Sequence, residues 1–377
     1  MPKPFAILIA VVLALYFVPF VADPVGAAAV GDFEVDGNQV HESAEDWKDL
    51  APTGDGVLTA LPDAGGKTNR TLTTFLDNTS GGQDATVSGS NNKENPPGGS
   101  QWPSWGWTDT GNATGKSDYG RVAAYSYVKQ VSGTDHVFLV LGFDRGSNVG
   151  GNATANYYFE LNQKPRTDGN TSNPNPNRTT GDVRITINDQ GNGVFSAPEV
   201  EVWTATSPIA GSWGPTTVNN PTYDVKANST GAISDLAPWW TSVNAVNGTI
   251  DQEGFIEAAL DLTSFGAVLG CPSTGFSTLN GRSSTGASDK NLVDYFKATP
   301  INIPSNCAAL FVRKFRGDGS TPLGGATFRI EPNPLPVGVP GRPSDSFLTI
   351  FDDSDGNTGK EGSTNYDDPD ATPGLIS

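Results

Sequence analysis

Sulfur and histidine are scarce in this chain of 377 residues, which holds one Met, two Cys and two His. The histidines, His41 and His136, stand in no catalytic pattern. There is no G-x-S-x-G, H-E-x-x-H, P-loop or paired-glycine dinucleotide fingerprint. Basic residues are also few: 23 Lys and Arg face 41 Asp and Glu, for a net charge of −18. Such a surface repels phosphate backbones and argues against nucleic-acid binding. Apart from the N-terminus, no long amphipathic helical period is present. After the N-terminus no apolar run is long enough to cross a membrane.

Turn formers are abundant instead, with 45 Gly and 28 Pro. Clusters of Gly, Asn, Thr and Ser separate short β-branched and aromatic runs, the pattern of an all-β protein. The first 29 residues read as a secretory signal: Lys3, an apolar run over 5–22, then Ala27-Ala28-Ala29, with cleavage after Ala29. A retained membrane anchor is the alternative. In an exported chain, the isolated pair Cys271 and Cys307 is expected to form one disulfide. Closing that loop stabilises by roughly 3–4 kcal/mol.

The expected organisation is a β-sandwich head over 30–306 and a second module over 307–377. Strands are predicted at 33–35, 121–131, 136–143, 156–161, 182–187, 194–203 and 254–260. The second and third should form a hairpin around Ser132-Gly133-Thr134-Asp135. Asp182 to Ile187 and the run ending at Trp203 should form another. Residues 289–295 read as a short helix, and 77–104 and 164–180 as polar loops. Many short strands with long polar connections suit a sandwich.

Residues 308–330, AALFVRKFRGDGSTPLGGATFRI, hold two strand-like runs around a Gly/Asp/Pro connection. This resembles the opening of a prealbumin-like repeat of the Cna-B/SpaA kind, found in stalks of Gram-positive surface proteins. LGGATFRI from Leu323 matches the second strand of that family, and Lys314 the lysine that often forms an isopeptide. The glutamate and asparagine that complete the cross-link lie late in such domains. After Ile350 the chain is polar, so the module reads as incomplete and Lys314 as an ordinary strand lysine. The preceding region resembles N-terminal domains of actinobacterial surface proteins. FEVDGN at Phe33, Asp46-Trp47, FLVLGFDRGSN from Phe138, YYFELNQ from Tyr157 and the tryptophan pair after Pro238 carry that likeness. The Asp-Gly…Asp-Trp opening also resembles sugar- or haem-binding sandwiches of the DOMON type.

The resemblance implies a secreted, non-enzymatic, adhesin-like surface protein, with a surface protein or glycan as partner and no cofactor. A carbohydrate-binding module is the alternative, through Trp102, Trp105 and Trp107 in one loop and Trp239 with Trp240 in another. Exposed indole faces stack on sugar rings, whereas buried ones would only plug the sandwich. A glycan hydrolase using an acid pair of unfixed spacing is a third reading. Asp353 and Asp355 match part of a calcium loop, but the glutamate that would complete it is replaced by Gly362, and a turn or hairpin tip is the better reading. Asp32, Glu34 and Asp36 alternate along the first strand as a second acidic cluster, read as a solvated edge. N-x-S/T triplets begin at Asn69, Asn78, Asn112, Asn152, Asn170, Asn177, Asn228 and Asn247. Intact-mass measurement of the mature chain should show no loss of ammonia. A deficit of one ammonia would establish a cross-link at Lys314.

Overall fold

The computed structural model describes residues 28–76, 84–88, 106–111, 115–146, 154–164, 178–207, 210–216, 221–242, 244–245, 247–269, 275–285, 292–304, 327–330 and 348–351. The chain is all-β. Its first strands are β1 (Ala28–Val30), β2 (Phe33–Val35), β3 (Thr59–Ala60), β4 (Lys67–Leu76), β5 (Asp84–Ser88) and β6 (Gly106–Gly111). Next come β7 (Tyr119–Val131), β8 (Thr134–Arg145), β9 (Ala155–Asn162), β10 (Val183–Asp189), β11 (Glu199–Ser207) and β12 (Ala210–Pro215). The last are β13 (Tyr223–Ala227), β14 (Phe255–Asp261), β15 (Phe276–Thr285), β16 (Leu292–Ile303), β17 (Thr327–Ile330) and β18 (Leu348–Phe351). Short 3-10 helices occur at Trp47–Asp49, Gly115–Ser117 and Leu262–Leu269. Among the described residues no helix is long and apolar enough to cross a membrane.

Two antiparallel sheets make the sandwich. One runs β13-β14-β8-β7-β4-β3 and the other β12-β11-β10-β9-β15-β16. The β5–β6 hairpin extends the second sheet, joined to β16 through one pair, Asp294 with Thr86. The predicted β7–β8 hairpin is present with a tighter turn. Only Ser132 and Gly133 connect the strands, at φ 53° and 84°, and paired positive φ values match strand twist.

Period-two alternation sorts side chains between two cores. Leu139, Leu141 and Phe143 of β8, Ile256 and Leu260 of β14, Tyr157 and Phe159 of β9 and Ile185 of β10 fill the space between the sheets. The opposite residues of the first sheet form another core. There Tyr125 and Tyr127 of β7, Phe138 and Val140 of β8 and Phe255 of β14 meet Phe33, Val35, Trp47 and Trp240. The first sheet is therefore buried on both faces. Its second cover is a lid made of the β1–β2 hairpin, the segment through Leu50 and the turn region around Trp240.

Two sequence expectations need correction. Residues 292–295, expected to be helical, belong to β16, because pairing with β15 overrides a short local pattern. The polar stretch 77–104 contains the five-residue β5, which pairs with β6 around a bulge at Ala85; so short a run among Gly and Ser carries little signal. The second hairpin is β10–β11, with β11 starting later than expected, at Glu199. β17 pairs with β18 in a separate two-stranded sheet. The expected strand at 308–315 lies outside the described residues, as do the apolar run 5–22 and Ala27. Ala28 and Ala29 already pair with Val35 and Glu34.

Lid and sheet pack closely at Gly142. A Cβ there would lie 2.6 Å from Cζ2 of Trp47. Gly142→Ala should therefore lower stability in urea unfolding by about 1–3 kcal/mol, the usual range for overpacking. A change below about 0.5 kcal/mol would show that the indole is not seated against β8.

Candidate functional site: an acidic bay at the first hairpin

The lid is positioned by one buried acid. Glu257 of β14 points away from the inter-sheet core and is fully covered. Its Oε1 accepts from the backbone N–H groups of Asp36 and Gly37, both at 2.6 Å, and its Oε2 from Trp47 Nε1 at 3.0 Å. Gly37 is required at this approach. Its φ is +88°, and a Cβ would lie 2.4 Å from the carbonyl oxygen of Ala227.

More carboxylates gather around this anchor. Glu34 of β2 turns from the apolar cluster and holds the 42–44 loop. Its Oε2 accepts from the N–H groups of Glu42 at 2.8 Å and Ser43 at 3.1 Å, and its Oε1 from Ser43 Oγ at 2.9 Å. Asp36 accepts from Asn38 N and Asn38 Nδ2. Asp46 caps the short helix at Trp47, and its own N–H donates to Asp49 Oδ2 at 3.0 Å. Asp49 also meets His41 Nδ1 at 2.7 Å, and this hydrogen bond raises the exposed imidazole's pKa.

These acids do not titrate alike. Burial raises Glu34, but the hydrogen bonds donated by Glu42, Ser43 and Ala44 together outweigh it, so its pKa falls. Burial, with the charges of Glu34 and Glu42, raises Asp36. Burial pushes Asp46 up to about 8, reinforced by Asp36 and Glu34. Burial and the neighbouring Asp46 push Glu257 well above the carboxylate range. Burial thus favours the protonated forms of Asp46 and Glu257. The carboxylate oxygens of Glu34, Asp36 and Glu42 all lie within 4.8 Å of one another.

A surface cavity of about 410 Å³ opens beside the bay, lined by Asp32, Ser43, Ala44, Glu45, Gly65 and Lys67 among others. Its charges are paired. Glu45 receives Lys67 Nζ at 2.6 Å, Tyr125 OH at 2.8 Å and the Arg70 guanidinium. Lys67 lies 4.8 Å from the Tyr127 ring centroid, and burial lowers its pKa despite Glu45.

The sequence-predicted sites are placed unevenly. Asp32, Glu34 and Asp36 do not form one solvated edge. Glu34 is buried and Asp36 half-buried, whereas Asp32 sits exposed in the β1–β2 turn and pairs with Lys129. The structure adds Glu42 to the cluster instead. Trp240 offers no open face: it is 3% exposed and donates Nε1 to Asp144 Oδ2 at 2.7 Å. Trp239 is half-buried and packs 5.3 Å from Trp240 between ring centroids. Trp107 lies in β6 opposite Val87. Cys271, Cys307, Lys314, Trp102, Trp105, Asp353 and Asp355 lie outside the described residues. Asn228 is buried, with its amide bonded to Gly231 O, Asp251 O and Phe255 N. Glu257, Glu42 and Asp144 went unnoticed in the sequence. A single acid within the apolar run FIEAAL was the available signal for Glu257.

Compared with known proteins, the chain matches no family model, no curated protein and no solved structure.

The raised acids set a pH dependence. A group whose folded pKa exceeds its unfolded value contributes stability below the unfolded pKa and loses it as pH rises through the folded value. For Asp46 that window runs from 3.8 to about 8. Measured in chelator, the melting temperature should fall across this range. Asp46→Asn keeps the cap and should flatten that fall, gaining about 1–3 kcal/mol at pH 8. An unchanged slope would mean that Asp46 is ionised throughout.

Proposed function

We propose that the protein is a secreted, non-enzymatic cell-surface protein of the adhesin-like kind. In this reading a β-sandwich head stands before a prealbumin-like module over 307–377. The observation that carries it is how the buried acids are used. Glu257 spends both oxygens on lid donors. Glu160 spends its oxygens on Arg178, at 3.0 and 2.8 Å, and on Arg282 at 3.1 Å. Asp144 serves Trp240, Ser242 and the Arg121 N–H. A glycosidase acid pair instead faces a shared cleft across roughly 5–9.5 Å. The interior is spent on holding two covers over one sheet, which suits a rigid scaffold that binds through its loops. The net charge of −18 favours a protein or glycan partner over nucleic acid. Secretion rests on the charged, apolar and small-residue order of the N-terminus.

Antibody labelling of intact source cells, with fractionation of cells and medium, tests the localisation. The protein is expected at the cell surface or in the medium, and cytoplasmic retention would sink the proposal. Incubation with a polysaccharide panel should release no reducing ends. Release that disappears in an acid-to-amide variant would replace the reading with a hydrolase.

A further inference from the structure

We infer that signal cleavage falls between Ala27 and Ala28, so that the exported chain begins with the first residue of β1. This rests on the secretion reading above and moves its processing site by two residues. The alanine triplet offers more than one cleavable bond. Compact residues are needed at the third and first positions before the cut. Val25 and Ala27 supply them for a cut after Ala27, Gly26 and Ala28 for the next bond, and Ala27 and Ala29 for a cut after Ala29. The sequence alone does not separate these bonds, whereas the fold does.

β1 is built into the lid. Gly31 and Asp32 join it to β2 at φ 63° and 68°, the paired positive values of a two-residue hairpin turn. Such a turn fixes the register, which sets Val30 opposite Phe33, Ala29 opposite Glu34 and Ala28 opposite Val35. The sheet beneath holds the turn in place. Tyr127 OH donates to the carbonyls of Val30 at 3.2 Å and Gly31 at 2.9 Å, and Lys67 Nζ to that of Asp32 at 2.8 Å.

β2 depends on this partner. Along a strand, the backbone groups of successive residues face opposite sides. The Glu34 N–H turns to the Glu45 carbonyl at 2.9 Å, so the N–H and C=O groups of Phe33 and Val35 face β1. Val35 is fully buried. A cut after Ala28 or Ala29 removes the residue opposite Val35, and a buried backbone group without a partner is costly. A cut after Ala29 also puts the new α-ammonium on Val30, which is 5% exposed and belongs to the second core. Charge is expensive there. A cut after Ala27 keeps every pair of the hairpin and leaves the ammonium at the outer end of β1.

Secreted expression of the full chain tests the site, with intact-mass measurement and N-terminal sequencing of the protein in cells and medium. The first residue in the medium is expected to be Ala28. Val25→Asp spoils the position three before this cut and should abolish that N-terminus. Ala29→Leu spoils only the cut after Ala29 and should leave it. A first residue of Ala29 or Val30 in the medium overturns the inference while the secretion reading stands. A chain that keeps Met1 overturns it too, and if that chain stays in the cytoplasm the secretion reading falls as well. Purified chains made to start at Ala28 and at Val30 provide a second measurement. The later start should lower the melting temperature by about 2 °C or more. Equal melting temperatures would show that β2 does not need Ala28 and Ala29, and would overturn the assignment.

Discussion

A sheet that is apolar on both faces must be covered twice, and most of this architecture follows from that constraint. The sheet β13-β14-β8-β7-β4-β3 presents Leu139, Leu141 and Phe143 to one side and Phe138 and Val140 to the other. The second sheet covers the first side. The other is closed by a lid of N-terminal chain and a later turn region, fastened where Glu257 grips Gly37 and Trp47. Removing water from each large apolar side chain contributes about 1.5–3 kcal/mol, so the lid is part of the folded domain. The acids that fasten it are buried in consequence, and their raised proton affinity follows from that burial.

The far face of the second sheet solves a different problem with the same materials. Glu160 lies there between Arg178 and Arg282, all three buried. The Arg178 guanidinium stacks 4.9 Å from the Trp203 ring and 4.8 Å from the Trp213 ring. Cation–π contact and charge pairing together compensate for desolvating the guanidinium. Breaking such a group is costlier than never having built it, so these residues constrain one another.

Much of the fold was legible because its strongest signals are local. The β7–β8 hairpin shows alternation on both sides of a Ser-Gly turn, and β14 shows as an apolar run. Failures occurred where tertiary pairing decides. Leu292, Asp294 and Phe296 sit in a strand because β15 lies beside them, and no local feature announces that neighbour. At the bay, the Asp-Gly and Asp-Trp dipeptides showed in the sequence only as a turn and as part of a family likeness, not as a lid. What joins them is Glu257, 220 positions beyond Gly37, and nothing in the chain's order advertises that contact. Glu42 was invisible for a related reason, since its place beside Glu34 depends on a loop bending back.

That long separation has a kinetic meaning. Phe33, Val35 and Trp47 are made early, but the strand that anchors their cover is made some 220 residues later. At about 5–20 residues per second, ribosomal synthesis leaves this first segment without its partner for roughly ten to forty seconds. During that interval its aromatic side chains have no native surface to meet. A fold closed by its beginning cannot be completed from its beginning, and the newborn chain must be kept from other contacts until β14 emerges.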